Sequence, residues 1–380
     1  MARGIRRGLI ASVTVAVVVG LVATFASAAS PAITFVSPSP DEGETLTTNA
    51  AQFAFTYNRI PNATESLVCA LAGPTSSSGA CDSPTAFGDK GSQSGKSYIG
   101  LVSGSYTFTV SLTLEDGGTA SATLHFTVNA GHVYWTNAGT NTIGRASLDG
   151  TGVNQTFISG VNGHPQGVAV DAGHVYWASN GPGTIGRANL DGTSADQSFI
   201  TGGSQPNGVA VDAGHVYWTN FGPLFFGPAT VGRANLDGTG ANQSFITGVS
   251  GPGGPAVDAG HVNWPNAFTN TIGRANLDGT GVNQSFVAGA SVPRGVAVDA
   301  DHVYWTNGNG TIGRANLDGT GVDQNFITGA SSPYGVAVDA GHVYWANIGT
   351  NTIGRANLDG TGVDQSFITG ASGPRGVAVG

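Results

Sequence analysis

Charge is what this sequence has least of. Only 10% of its 380 residues are Asp, Glu, Lys or Arg, where roughly a quarter is usual, and residues 131–380 contain no Glu and no Lys. So few Lys, Glu and Arg cannot build long solvated helix faces, and all-α architectures are excluded. Basic residues number 14 against 23 acidic ones. Without Arg3, Arg6 and Arg7 of a leader the balance becomes 11 − 23 = −12. Such a surface repels phosphate, which argues against nucleic acid and anionic membranes as partners. Cysteine is nearly absent too: Cys69 and Cys81 are the only two. In an exported chain an isolated pair this close reads as a disulfide, with two free thiols as the alternative. No third Cys and no nearby His supports a metal there. Beyond residue 28 no apolar run is long enough to span a bilayer.

Glycine is abundant instead, at 61 residues, accompanied by Asn, Thr and Asp. This composition suits many tight turns between short strands, and 40% hydrophobic residues suffice for a packed core. The expected class is all-β. Residues 1–28 read as a secretory signal: Arg3, Arg6 and Arg7, an apolar stretch from Leu9 to Phe25, then Ala26-Ser27-Ala28 for cleavage. An uncleaved anchor is the alternative, and the short apolar stretch argues against it.

Two regions follow. In residues 29–130, runs such as Gln52-Phe53-Ala54-Phe55-Thr56-Tyr57, Tyr106-Thr107-Phe108-Thr109-Val110 and Thr123-Leu124-His125-Phe126-Thr127-Val128 alternate with period two. Each presents one buried and one solvated face, as in an antiparallel sandwich. With Cys69…Cys81-Asp82-Ser83-Pro84 and Gly104-Ser105-Tyr106-Thr107-Phe108, the region resembles small bacterial immunoglobulin-like modules, which implies an immunoglobulin-like β-sandwich.

Residues 131–380 are one unit repeated six times. All six tryptophans, Trp135, Trp177, Trp218, Trp264, Trp305 and Trp345, fall at equivalent positions 40 to 46 residues apart. Each unit runs His-Val-Tyr-Trp-Thr-Asn, a variable loop, Thr-Ile-Gly-Arg-Ala-Asn-Leu-Asp-Gly, Gln-Ser-Phe-Ile, then Pro-x-Gly-Val-Ala-Val-Asp. Four strand-like runs joined by Asp-Gly and Asp-Ala-Gly turns, at this period, predict a propeller blade. The unit begins at a second strand and the chain stops at a first strand. Closure of a six-bladed ring by residues 376–380 is therefore favoured over closure by residues 127–130, or a fragment. These units resemble the Tyr-Trp-Thr-Asp propeller repeats of the low-density lipoprotein receptor family. The fourth motif residue departs, being Asn at Asn137, Asn220, Asn307 and Asn347. The second unit reads Trp177-Ala178-Ser179 and the fourth Asn263-Trp264-Pro265-Asn266.

Comparing the six copies separates constant from variable positions. Variation collects in the loop after Trp and at the residue after the inter-blade Pro: Gln166, Asn207, Gly253, Arg294, Tyr334 and Arg375. In a four-stranded antiparallel blade both places emerge on one side, around the channel mouth. The third unit adds an insertion there carrying Phe221, Leu224, Phe225 and Phe226, and the fourth carries Phe268. Drifting loops explain such variation as well as a binding face does.

The repeated histidines (His132, His174, His215, His261, His302, His342) are expected to cap turns or pack. No carboxylate is expected beside them at fixed short spacing, so no metal ring is expected. The repeated Arg (Arg145, Arg187, Arg233, Arg274, Arg314, Arg355) is expected to pair with repeat Asp residues. The Asp of Leu-Asp-Gly lacks the alternating oxygens of a calcium loop. No catalytic residue, cofactor or metal is assigned. Virginiamycin B lyase, with similar units, is the enzymatic rival, and that resemblance implies a His/Glu pair with magnesium. The propeller lacks the Glu, and His164 is its only His outside the repeat pattern.

The expected protein is thus exported and bacterial: secreted, at the cell surface, or periplasmic where the host has an outer membrane. It is expected to be a monomer that binds an extracellular protein or glycan without catalysis. A purely architectural role is second and a lyase third.

Overall fold

The structure is a computed structural model. It describes residues 32–380 except 37–38, 47–50, 58–64, 74–75, 82–84, 87–91, 99–100, 102–103, 115–117, 129–130 and 223–227. The expected signal at 1–28 and the site candidates Leu224, Phe225 and Phe226 lie outside the described residues. The chain divides into two compact units, Met1–Gly131 and His132–Gly380. No helix among the described residues is long and apolar enough to cross a membrane.

In the first unit, strands Ile33–Val36, Ala51–Tyr57, Ser92–Tyr98 and Thr85–Ala86 form one sheet in that order. Strands Glu44–Leu46, Thr119–Val128, Gly104–Leu114, Glu65–Ala72 and Ser77–Ala80 form the other. Period-two burial is literal: Tyr106, Phe108, Val110 and Leu112 face one core, as do Ala122, Leu124 and Phe126 on the adjacent strand. Phe53 of the first sheet stacks on Phe108 of the second with ring centroids 3.9 Å apart. Cys69 and Cys81 are disulfide-bonded and clip the hairpin between Glu65–Ala72 and Ser77–Ala80.

The second unit holds six four-stranded antiparallel sheets. Pro165–Val170, His174–Ser179, Thr184–Asn189 and Asp196–Ile200 form a representative sheet, from innermost to outermost strand. The innermost strands neighbour one another around a closed ring. The first sheet is assembled from both ends of the unit: Pro374–Val379 pairs with His132–Asn137, matching Val133 to Val379 and Trp135 to Val377. Both faces of each sheet are covered by neighbours, so the second strand is buried almost throughout rather than at alternate residues.

Two glycines per blade make this packing possible. The Gly of Thr-Ile-Gly-Arg lies under its own blade's Trp, where a Cβ on Gly186 would overlap the Trp177 ring. The Gly of Pro-x-Gly lies where inner strands converge, and a Cβ on Gly167 would sit 2.6 Å from the Gly208 Cα. The Asp-Gly hairpins place glycine at positive φ, for example Gly192 at 85°, where a side chain is strained.

Candidate binding face

Each blade has two ends. Turns between strands one and two and between strands three and four share the lower end. The loops between strands two and three and the links between blades share the upper end.

The lower end is built from near-identical parts. Asp171 accepts the backbone N–H groups of Gly173 and His174 at 2.7 Å each and the Tyr176 hydroxyl at 2.8 Å. The same set recurs at Asp212, Asp299 and Asp339. Burial, with the hydrogen bond to the carboxylate behind it, raises the Tyr176 phenol above its ordinary range. The expectation that no carboxylate accompanies the histidines is wrong. Asp171, Asp212, Asp258, Asp299 and Asp339 stand three residues before them, with Nδ1–Oδ1 distances of 3.1 to 3.7 Å. The turn that these carboxylates cap brings the imidazole back over them. No group of three metal-ligating side chains occurs among the described residues.

The expected Arg–Asp pairing is also corrected. Arg145 donates from Nη1 to the Leu190 carbonyl of the next blade at 3.1 Å and stacks 4.1 Å over Phe157. The arrangement passes round the ring and closes it, since Arg355 reaches the Leu148 carbonyl at 3.1 Å. Of the six, only Arg274 comes within 4.0 Å of an Asp carboxylate, that of Asp258. In that blade Asn263 replaces Tyr and accepts from Arg274 Nε at 2.9 Å, while Arg274 Nη2 is buried without a hydrogen bond.

The Asn of Trp-Thr-Asn has a role that single-blade reading could not supply. Asn137 Nδ2 donates to the Gln155 carbonyl, while its Oδ1 accepts the Ser372 N–H from the preceding inter-blade loop. Gln155 in turn accepts from Trp135 Nε1 and donates to Thr369 O of the neighbouring blade. In the second blade Ser179 takes the Asn position, and both its hydroxyl and Trp177 Nε1 are left buried without partners.

At the upper end the structure brings five of the expected site residues together over the channel. The Tyr334 hydroxyl donates to Asn207 Oδ1 at 2.9 Å, from a blade on the opposite side of the ring. Arg375 donates to Gln166 Oε1 at 2.8 Å. The Arg294 and Arg375 guanidinium carbons lie 5.7 and 5.3 Å from the Tyr334 ring centroid. Gln166 and Asn207 are buried, so they support the cap rather than offer a free surface. Further out, Phe221 and Phe268 from adjacent blades meet edge to face at 5.7 Å, and Phe268 is 67% exposed. His164 stands apart from this cap. It is exposed, at φ 58°, with its ring Nδ1 3.2 Å from the Ala138 carbonyl.

Six sheets around a channel, with inner strands supplied by Pro-x-Gly-Val-Ala-Val, define a β-propeller. Residues 131–172 match the family described as low-density lipoprotein receptor repeat class B, and the five later units repeat the residue pattern of that stretch. The chain is similar in fold to the nidogen/laminin complex crystal structure, at 21% identity and a TM-score of 0.56. That match covers 66% of this chain and 98% of the other. It also matches virginiamycin B lyase from Staphylococcus aureus at 20% identity and a TM-score of 0.47, covering 64% of this chain and 84% of that one. No curated protein matches the sequence.

Proposed function

We propose that this is an exported, non-catalytic binding protein. In this reading an immunoglobulin-like module carries a propeller whose upper face takes an extracellular protein or glycan. The observation that carries the reading is the concentration of difference. Six blades that repeat their lower turns almost unchanged diverge at the upper end. There they place an exposed Phe268 against Phe221, and Arg294 and Arg375 beside Tyr334. The disulfide suits an oxidising compartment, and the nidogen/laminin complex offers a similar fold in a complex with a protein.

The test compares the whole protein with a Phe221→Ser/Phe268→Ser variant and a lower-rim control, Val322→Ser. Each is assayed against native cell-surface fractions and a glycan array. Upper-face loss of about tenfold or more (about 1.4 kcal/mol) with unchanged melting, and no loss in the control, is the expected result. Equal binding by all three sinks the proposal. Virginiamycin B turnover abolished by His164→Ala would replace it with the lyase reading.

A further inference from the structure

Two positive charges at the upper mouth of the ring have no counter-charge among the described residues of the propeller. Arg294, Tyr334 and Arg375 each follow an inter-blade Pro, at the head of the inner strands Val296–Val298, Pro333–Val338 and Pro374–Val379 of consecutive blades. The glycines after Arg294 and Tyr334 draw these positions together. A Cβ on Gly295 would fall 2.6 Å from the Tyr334 carbonyl oxygen, and one on Gly335 2.5 Å from that of Arg375. Neighbouring backbones are therefore in contact, and both guanidinium groups gather at one ring, that of Tyr334.

Neither group has an acidic partner. All fifteen Asp residues of 131–380 lie in lower turns or at the first residue of outer strands, and the stretch has no Glu. Arg375 Nη1 donates to Gln166 Oε1. The Arg294 guanidinium forms no hydrogen bond and no ion pair among the described residues, and its contact is the Tyr334 ring. Both residues are half-buried, yet none of their remaining nitrogens is sealed from solvent. The six strand-three arginines differ. Each donates to a Leu carbonyl of the next blade and stacks on a Phe.

The formal charge of the ring is thus divided along its axis, with the carboxylates below and two unpaired guanidinium groups above. A strand such as His174–Ser179 separates the two ends by about 20 Å, more than twice the screening length of about 8 Å at physiological ionic strength. An anion at the mouth meets the two arginines and is screened from the carboxylates below. The arginines repel each other beside the Tyr334 ring until an anion joins them.

We propose, building on the upper-face reading, that this mouth is a carboxylate site and that the partner presents an acidic peptide segment to it. A guanidinium holds a carboxylate through two parallel N–H···O bonds. On an extended peptide, alternate side chains lie about 7 Å apart on one side, within the span of two groups at 5.7 and 5.3 Å from one ring centroid. Further out, Val292 and Phe268 are exposed. They suit apolar peptide side chains and offer no hydrogen bond to the hydroxyls of an acidic sugar.

The experiment is calorimetric titration of the whole protein with hexaglutamate, hexaglutamine and hexagalacturonate as probes. The expected result is binding of hexaglutamate that weakens as salt rises from about 0.05 to 0.5 M. Hexaglutamine is expected to bind at least about tenfold more weakly, and hexagalacturonate more weakly than hexaglutamate. Arg294→Gln removes a charge and no hydrogen bond, so it is expected to melt unchanged and to bind hexaglutamate at least about tenfold more weakly. Arg375→Gln repeats the test on the second charge if the first variant fails to fold. No heat with hexaglutamate, equal binding of hexaglutamine, hexagalacturonate bound as tightly, or binding undiminished in a folded Gln variant would overturn the proposal. The upper-face reading keeps its own test, because binding of native cell-surface fractions that is lost in Phe221→Ser/Phe268→Ser does not depend on the arginines.

Discussion

Replacing Asn347 with Ser should reproduce in the sixth blade the defect that the second blade carries naturally. Asn347 is fully buried. Its Nδ2 donates to the Gln365 carbonyl at 3.0 Å and to Gln365 Oε1 at 3.2 Å, and its Oδ1 accepts Ser331 N–H at 2.9 Å. Gln365 Oε1 also accepts Trp345 Nε1 at 3.0 Å, while its Nε2 donates to Thr328 O of the neighbouring blade at 3.0 Å. A serine cannot reach these partners. At about 0.5–1.5 kcal/mol net for each of three hydrogen bonds, with buried groups left unpaired, the loss comes to about 2–4 kcal/mol. For a denaturant slope of about 3 kcal/mol/M the urea midpoint falls by about 1 M. Tryptophan fluorescence reads this cleanly, because all six tryptophans belong to the propeller. Asn347→Asp should cost at least as much, since a carboxylate would then face the Gln365 carbonyl that the amide now satisfies. A loss below about 0.5 kcal/mol for Asn347→Ser would refute the reasoning, because it would mean the Trp–Gln–Asn chain contributes nothing across the blade boundary.

The arginine stitches give a ranked series. Arg355→Met removes a charge-assisted bond to Leu148 O and a stack on Phe367, and should cost about 2–3 kcal/mol in the same urea assay. Arg274→Met should cost at least as much, because Arg274 makes the matching bond to Leu317 O and stack on Phe286 and also donates from Nε to Asn263 Oδ1; a clearly smaller cost would contradict this account. Gly313→Ala places a methyl in the Trp305 ring and should destabilise by about 1–3 kcal/mol or more. Gly341→Ala, whose Cβ meets nothing nearer than Asp339 Oδ1 at 3.7 Å, should change the midpoint little. His132 has its pKa pulled down to about 4 by burial and by Arg145, so the folded state resists protonation that the unfolded state accepts. Stability should therefore be unaffected above the ordinary histidine pKa, about 6.5, and fall as pH drops from there to about 4. His132→Asn should flatten that part of the pH profile, and an unchanged slope would contradict the assignment.

The blade architecture was legible because its signals are local. A strand length, an Asp-Gly turn and a Trp every 40 to 46 residues each act within one hairpin, and six copies repeat the message. The upper location of Phe268 and Tyr334 was legible for the same reason, since strand count alone decides which end a loop occupies. The partners were not. Arg145 reads as an ion-pair residue in sequence, yet its acceptor is a main-chain carbonyl 45 residues away, and carbonyls leave no mark in composition. The His–Asp contact was missed although its spacing is constant, because the Asp was accounted for by turn chemistry alone.

By itself, the sequence determined the secondary structure, the repeat and the division into two regions, since these follow from periodicity and turn residues that each hairpin carries within itself. Only the tertiary structure decided what holds the blades to one another and what lies at the ring's centre. Tyr334 meets Asn207 across 127 residues, and Arg375 meets Gln166 across 209. Contacts of that kind exist only after six separate hairpin sets have been bent into a circle, and no local propensity encodes which side chains will then share the axis.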